Sequence, residues 1–419
     1  MNPQRRRFLL AGVGAAALAG AGTLATLANS GPLPRLWNPC HASLPGALAA
    51  DPLIRAAWQG IDARKVWDCH AHIAGTGDGG SGIEVSAEMQ SLLHPLQYAQ
   101  RLFFLNAGCA HDAPGRVDQS YVERMHNLID GMAPGFKMML FAFDRTHTEN
   151  GTPLPEQTAF YVPDAYARTL AQRYPKQFEW VASIHPYRKD ALAALEQAKA
   201  DGARAIKWLP PAMGIDPAAP QCRDYYRTLA RLNLPLITHA GEEKAVHGAN
   251  RSEFGNPLRL RAVLDAGVRT VIAHCASIGE DADLDNGDHS DRRVTSFSLF
   301  ERMMSHPAHR ELLFADISAI TQRNRPLAVI RTLLERDDWH PRLLNGSDYP
   351  LPGVMPLFAP AELARAGLLA AEAVPVLVEL HAHNPLLFDF VLKRQLRSGT
   401  RRLSAGLFET RNFFAPEIA

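Results

Sequence analysis

Short apolar, β-branched runs recur along this chain, each followed by a stretch with helical periodicity, about eight times over roughly 290 residues. The runs are Lys65–Cys69, Lys137–Phe143, Trp180–Ile184, Ala203–Trp208, Leu234–Thr238, Arg269–Ala273, Leu312–Ile317 and Arg342–Asn345. Between them lie amphipathic patterns at Tyr121–Met132, Tyr166–Arg173, Ala191–Ala200, Cys222–Leu232, Leu258–Ala266, Phe297–Met304 and Pro326–Arg336. Parallel strands need a long crossover, which a helix supplies, so this alternation predicts an α/β fold with a parallel sheet closed as a (β/α)₈ TIM barrel. A doubly wound open sheet is the alternative, but no Gly-rich phosphate loop follows the first run.

Polar residues then fall at the ends of these runs. His70 and His72 are two apart at the end of the first, and in an extended strand such residues share a side. Lys207 closes the fourth run, His239 the fifth and His274 the sixth, and Asp348 follows the eighth in Asn345-Gly346-Ser347-Asp348-Tyr349-Pro350. Each therefore sits at the C-terminal end of a strand, the face where barrel active sites assemble. Alone, an HxH pair or a strand-end histidine says little. Together they would gather charge in a buried place, which is costly without a shared counter-ion, and a divalent metal supplies one.

The pattern resembles the amidohydrolase superfamily, and within it amidohydrolase family 2, over about residues 64–390. The resemblance rests on Trp67-Asp68-Cys69-His70-Ala71-His72, His185-Pro186-Tyr187, Thr238-His239-Ala240-Gly241 and Ala273-His274-Cys275. It continues in Gly346-Ser347-Asp348-Tyr349-Pro350 and His383-Asn384-Pro385-Leu386-Leu387-Phe388. It implies that His70, His72 and Asp348, helped by His239, bind a first divalent metal, commonly zinc. Asp348 would be the general base, and His274 would hold a second metal or hydrogen-bond the substrate's oxygen. It also implies two possible roles for Lys207: a carboxylated bridge between two metals, or an unmodified cation facing substrate. One ion or two are both open.

Other residues carry a functional reading beside a structural one. His185 could face substrate or shape the His-Pro loop, and Arg188 could clamp a substrate carboxylate or form a surface ion pair. Asp316 and Arg323 flank the end of the seventh strand and read as structural. Cys69 and Cys275 should alternate away from the mouth into helix-facing packing, and the Met138-Met139 pair reads as core. Glu242, Glu243 and His247 lie on the loop after the fifth strand.

The ends and the composition set the context. Arg5-Arg6-Arg7-Phe8-Leu9-Leu10 opens onto an Ala/Gly-rich apolar run, with no acidic residue before Asp51, and resembles a Tat-type export signal over residues 1–30. A periplasmic or secreted protein with no stable span once processed is expected, with an uncleaved inner-membrane anchor as the alternative. Residues 31–63 form a Pro-rich lead, 64–355 the catalytic barrel, and 356–419 a helical extension packed outside it (about Pro360–Leu369, Ala371–His381 and Pro385–Leu396). The long Ile73–Pro134 connection belongs to the active-site face. Five cysteines without a CxxC pair do not read as a disulfide framework or a structural zinc site. A formal net charge of +1, without a basic stripe, argues against nucleic acid and leaves a small molecule as partner; a homo-oligomer is compatible.

Three functions follow. Hydrolysis of an amide, ester, lactone or phosphoester leads. Decarboxylation of an aromatic or unsaturated acid is second, calling for one metal and an arginine such as Arg188 or Arg323 in the pocket. A non-catalytic metal-binding protein is third.

Overall fold

The computed structural model describes residues 37–110, 115–243, 245–286 and 292–416, so the export-signal segment lies outside the described residues. Eight parallel strands form the centre: β1 Trp67–His72, β2 Lys137–Phe141, β3 Phe178–Val181, β4 Ile206–Trp208, β5 Leu236–Thr238, β6 Thr270–Ile272, β7 Leu313–Asp316 and β8 Leu343–Leu344. Strands β1 to β3 pair in one group and β4 to β8 in another. Parallel bridges Ala182–Ile206 and Ala71–Tyr349 join the groups, so the sheet closes into a (β/α)₈ barrel.

Helices follow the strands as the periodicity predicts: α1 Val117–Ile129, α2 Asp164–Arg173, α3 Ala191–Ala200, α4 Arg223–Leu232, α5 Arg261–Asp265, α6 Ser296–Ser305 and α7 Leu327–Glu335. α4 shows the local logic. Tyr225, Tyr226 and Leu229 are buried on one face, and Asn233 ends the helix in the left-handed conformation that asparagine tolerates. The expected Leu258–Ala266 helix instead divides into a 3₁₀ turn, Pro257–Leu260, and the short α5, because Asn256 caps Leu258 and Pro257 sits at the first helical position. After the barrel come α8 Pro360–Arg365, α9 Ala373–His383 and α10 Pro385–Gln395.

Two cores result. The large outer one lies between the strands and the helices. The inner one fills the barrel with Trp67, Cys69, Met139, Phe141, Val181, Ile237 and Val271, and includes Phe413 and Phe414 from the end of the chain. Cys69 therefore packs inside the barrel, contrary to the alternation argument. The β1–β2 register shifts between Asp68 and Ala71, and such an irregularity changes which residues share a face. Cys275 does pack in the outer core.

The cysteines bring a second correction. Cys40 and Cys109 form a disulfide, with Cα atoms 5.7 Å apart, joining the lead segment to the end of the Pro95–Ala107 helix. That helix includes the apolar stretch Phe103-Phe104-Leu105. Trp37 stacks on Phe103 with centroids 5.6 Å apart, and Asn38 bonds to both Asn106 and Ala107. Among the described residues no helix is long and apolar enough to cross a membrane.

Candidate metal centre and active site

Strand β1 delivers His70 and His72 to the C-terminal mouth of the barrel, and the loop after β8 delivers Asp348. Gly346 makes that approach possible: a Cβ there would lie 2.6 Å from the His70 Cβ. The loop is tied to β1 by two further links. The Asp348 amide donates to the His70 carbonyl at 2.8 Å, and buried Asp68 accepts from the Ser347 amide and hydroxyl at 2.7 and 2.5 Å. Burial pushes the Asp68 carboxyl up to about 7, against these hydrogen bonds.

Three donor atoms converge as a result. His70 Nε2 lies 3.2 Å from His72 Nε2 and 3.4 Å from Asp348 Oδ1, which is 3.3 Å from His72 Nε2. Asp316 orients the first ligand by accepting from His70 Nδ1 at 2.8 Å, which leaves Nε2 as a lone pair. Burial, then the nearby Lys207, holds the His70 imidazole down to about 4 and so neutral. Burial alone would raise the Asp348 carboxyl, but His274 and His70 outweigh it and hold Asp348 well below the usual carboxylate range. Two imidazole nitrogens and a carboxylate oxygen form a donor set suited to zinc, so these residues fit the metal that the pattern implies.

His274 approaches from β6 through an unusual backbone. His274, Cys275 and Ala276 are consecutive left-handed residues, with φ of 54°, 53° and 46°. Such conformations cost about 1–3 kcal/mol each and persist only when the surroundings hold them. Here Asp316 Oδ1 accepts from the His274 amide at 3.0 Å, and Ser318 Oγ meets His274 Nδ1 at 2.7 Å. His274 Nε2 is then 3.8 Å from Asp348 Oδ2. Asp316, which reads as structural from sequence, thus supports both histidines. Asp316→Asn is expected to weaken Zn²⁺ affinity about 10–100-fold, measured by chelator competition, with the fold intact by circular dichroism; unaltered affinity would remove this orienting role.

Lys207 is buried on β4, its Nζ 3.3 Å from His70 Nε2 and 5.0 Å from the Phe141 ring centroid. Burial lowers its pKa, against the attraction of Asp316 and Asp348. His239 stands apart from the donor cluster. Its Nδ1 lies 3.4 Å from Glu243 Oε2 and its Nε2 3.3 Å from the Glu242 carbonyl oxygen, and the neutral ring donates to one of the two.

The two substrate candidates lie elsewhere. His185 is fully buried, with Nε2 on the Met213 carbonyl at 3.0 Å and Nδ1 accepting from the Tyr187 amide, and burial lowers its pKa to about 3. Arg188 pairs with Asp144 and Asp190 at 2.9 and 2.7 Å. Neither lines the pocket over the metal ligands. Arg323 is engaged by Glu362.

That pocket is largely apolar, walled by Ile73, Ile83, Val85, Met89, Phe104, Leu105, Phe160 and Val246 above His70, His72, Lys207, His239, His274 and Asp348. Two arginines missed in the sequence face this mouth. Arg101 lies on the Pro95–Ala107 helix, and Arg325 follows β7 and donates to Ser277 at 2.5 Å. Their Nε atoms are buried without a partner among the described residues. Arg325 stands two positions beyond Arg323, and only the pairing of Arg323 with Glu362 distinguishes them.

A family model described as amidohydrolase matches residues 67–375, from β1 into α9. The chain belongs to the amidohydrolase family. It is thus an enzyme of a metal-dependent family, and the gathered donors lie inside the matched region. No curated protein matches the chain. Among solved structures it is similar to an uncharacterized TIM-barrel protein from Bordetella bronchiseptica, at 16% identity over 77% of this chain and 99% of that one, with a TM-score of 0.44. A candidate 2-pyrone-4,6-dicarboxylic acid hydrolase from Pseudomonas putida shows 16% identity over 78% and 97%, with a TM-score of 0.42. A 5-carboxyvanillate decarboxylase from Sphingomonas paucimobilis shows 12% identity over 77% and 97%, with a TM-score of 0.41.

Proposed function

We propose that this amidohydrolase-family enzyme is a hydrolase that uses one zinc ion, held by His70, His72 and Asp348, to cleave an amide, ester, lactone or phosphoester of a small molecule. The observation that carries this reading is the convergence of His70 Nε2, His72 Nε2 and Asp348 Oδ1 within 3.4 Å of one another, beneath an apolar pocket. A bound divalent ion would supply Lewis acidity, polarising the scissile carbonyl or phosphoryl group and easing loss of a proton from water.

The protein's own residues do the rest. Asp348, ionised and fixed by its backbone bond to His70, accepts the proton of the attacking water and returns it to the leaving group. His274, with Nδ1 committed to Ser318, turns Nε2 toward Asp348 and the pocket. Lys207 stands beside His70 as a nitrogen base or cation according to its proton and needs no carbamate in this scheme. The apolar walls limit water to the reacting position. Among the described residues His239 lies outside the converged donor set, which supports one ion rather than two.

Decarboxylation is the second reading, and Arg325 favours it, because a guanidinium with no carboxylate partner among the described residues stands near His274 and Asp348. Export through the Tat-type leader is proposed as well. The Cys40–Cys109 disulfide supports it, since such bonds persist in oxidising compartments.

Protein purified without chelators should carry one equivalent of zinc by plasma mass spectrometry and one anomalous peak at the zinc edge. It should turn over members of an ester and lactone panel without releasing CO₂. Turnover by metal-free protein would defeat the scheme, two peaks flanking Lys207 would restore the bridge, and CO₂ release from a carboxylate panel would establish the second reading.

A further inference from the structure

We infer that Lys393, on a C-terminal helix beyond the family match, is a positioning residue for the metal centre, acting through the Gly346 carbonyl on the loop that carries Asp348. The inference rests on the metal site proposed above and adds to it an element outside the barrel. Lys393 Nζ is fully buried and donates to the Gly346 carbonyl oxygen at 2.6 Å and to Asp389 Oδ2 at 2.6 Å. A buried ammonium is costly to desolvate, and an apolar side chain would fill the same volume at less cost. The cation is therefore poorly explained by packing. Its second hydrogen bond is better explained: Gly346 lies against His70 and stands two residues before Asp348.

The helix that holds Lys393 is itself fixed. At its start the Asn384 side chain caps the Leu387 amide and donates to the Leu128 carbonyl of α1 at 2.8 Å. Phe390 stacks on Trp58 with centroids 4.2 Å apart, and Arg394 donates to the Ala57 carbonyl at 2.8 Å. α10 is thus anchored to the lead segment and to α1, and its lysine head is placed by contacts on either side. Across the loop, Asp68 takes the Ser347 amide and hydroxyl. Gly346-Ser347-Asp348 is clamped between a cation on its outer side and a carboxylate on β1. The same loop supplies a donor to the metal, so loss of the outer clamp should loosen the donor set rather than the barrel.

Lys393→Met alone leaves Asp389 buried without its partner and risks misfolding. The informative protein is the double variant Lys393→Met/Asp389→Leu, which replaces the ion pair by apolar groups yet still lacks the donor to Gly346. With Zn²⁺ itself as probe, chelator competition on the full chain should show affinity about 10–100-fold weaker than wild type, the range for lost outer-shell partners. The visible absorption bands of the Co²⁺-substituted double variant should differ from those of the wild type, while its thermal midpoint stays close. Wild-type affinity together with a wild-type Co²⁺ spectrum in the folded double variant would overturn the role of Lys393. Failure of the wild type to bind either ion would overturn the metal site itself, and the inference with it.

Discussion

Asp348→Asn should lower turnover by about 10²–10⁴-fold, the range for loss of a general base, while metal content falls only in part. The exchange is conservative in shape. Asn keeps the size of Asp and an amide oxygen able to reach His70 and His72. It also accepts the left-handed backbone at this position, where φ is 61°. What it removes is the negative charge, which accounts for the partial loss of metal, and with it the capacity to take a proton. The comparison is kcat on the best ester or lactone from the panel, with zinc measured on the same sample. Retained turnover would withdraw the general base from Asp348, whatever the metal content.

Loss of the Cys40–Cys109 crosslink should be the largest single effect on stability. The bond joins residues 69 apart in the chain, and closing a loop of that size constrains the unfolded state by about 4 kcal/mol in the chain-entropy model, within the 2–5 kcal/mol range for native disulfides. The Cys40→Ser/Cys109→Ser protein should therefore unfold at lower denaturant than wild type, and dithiothreitol should bring the wild type to the same midpoint. Hydrogen exchange should rise first in the Pro95–Ala107 helix, because that end of the bond carries Arg101, Phe104 and Leu105 into the pocket. Coincident oxidised and reduced denaturation curves would contradict this account.

The barrel was legible because its signal is local. Each strand is an apolar run a few residues long, each helix has one buried face, and neither depends on distant residues. The positions of His70, His72 and Asp348 follow from strand ends for the same reason. What stayed hidden depends on separation along the chain. Cys40 and Cys109 meet only after the lead segment folds against the first long connection, and an odd cysteine count without regular spacing gives no cue to that pair. Cys69 was assigned to the wrong face because a register shift in β1 interrupts the alternation. Arg323 and Arg325 look alike in sequence, and Glu362, far along the chain, decides which is engaged by a carboxylate. His185 ends its strand as the ligands do, yet its ring is turned to the Met213 carbonyl. Lys393 pairs with Asp389 four positions earlier on a helix buried on every side, but its second partner, the Gly346 carbonyl, is 47 residues away and left no cue in the sequence.

The apolar walls come mainly from segments outside the strands: the Gly75–Met89 stretch, the Pro95–Ala107 helix and the loop after β5. The proposed ligands and their supports sit on strand ends and the loop after β8. Changes in the walls can thus accumulate without disturbing the reacting centre, which lets descendants explore new substrates while the chemistry is inherited intact. For protein engineering the same separation marks out a library: diversify Ile83, Val85, Met89, Phe104 and Val246, and hold the barrel mouth constant.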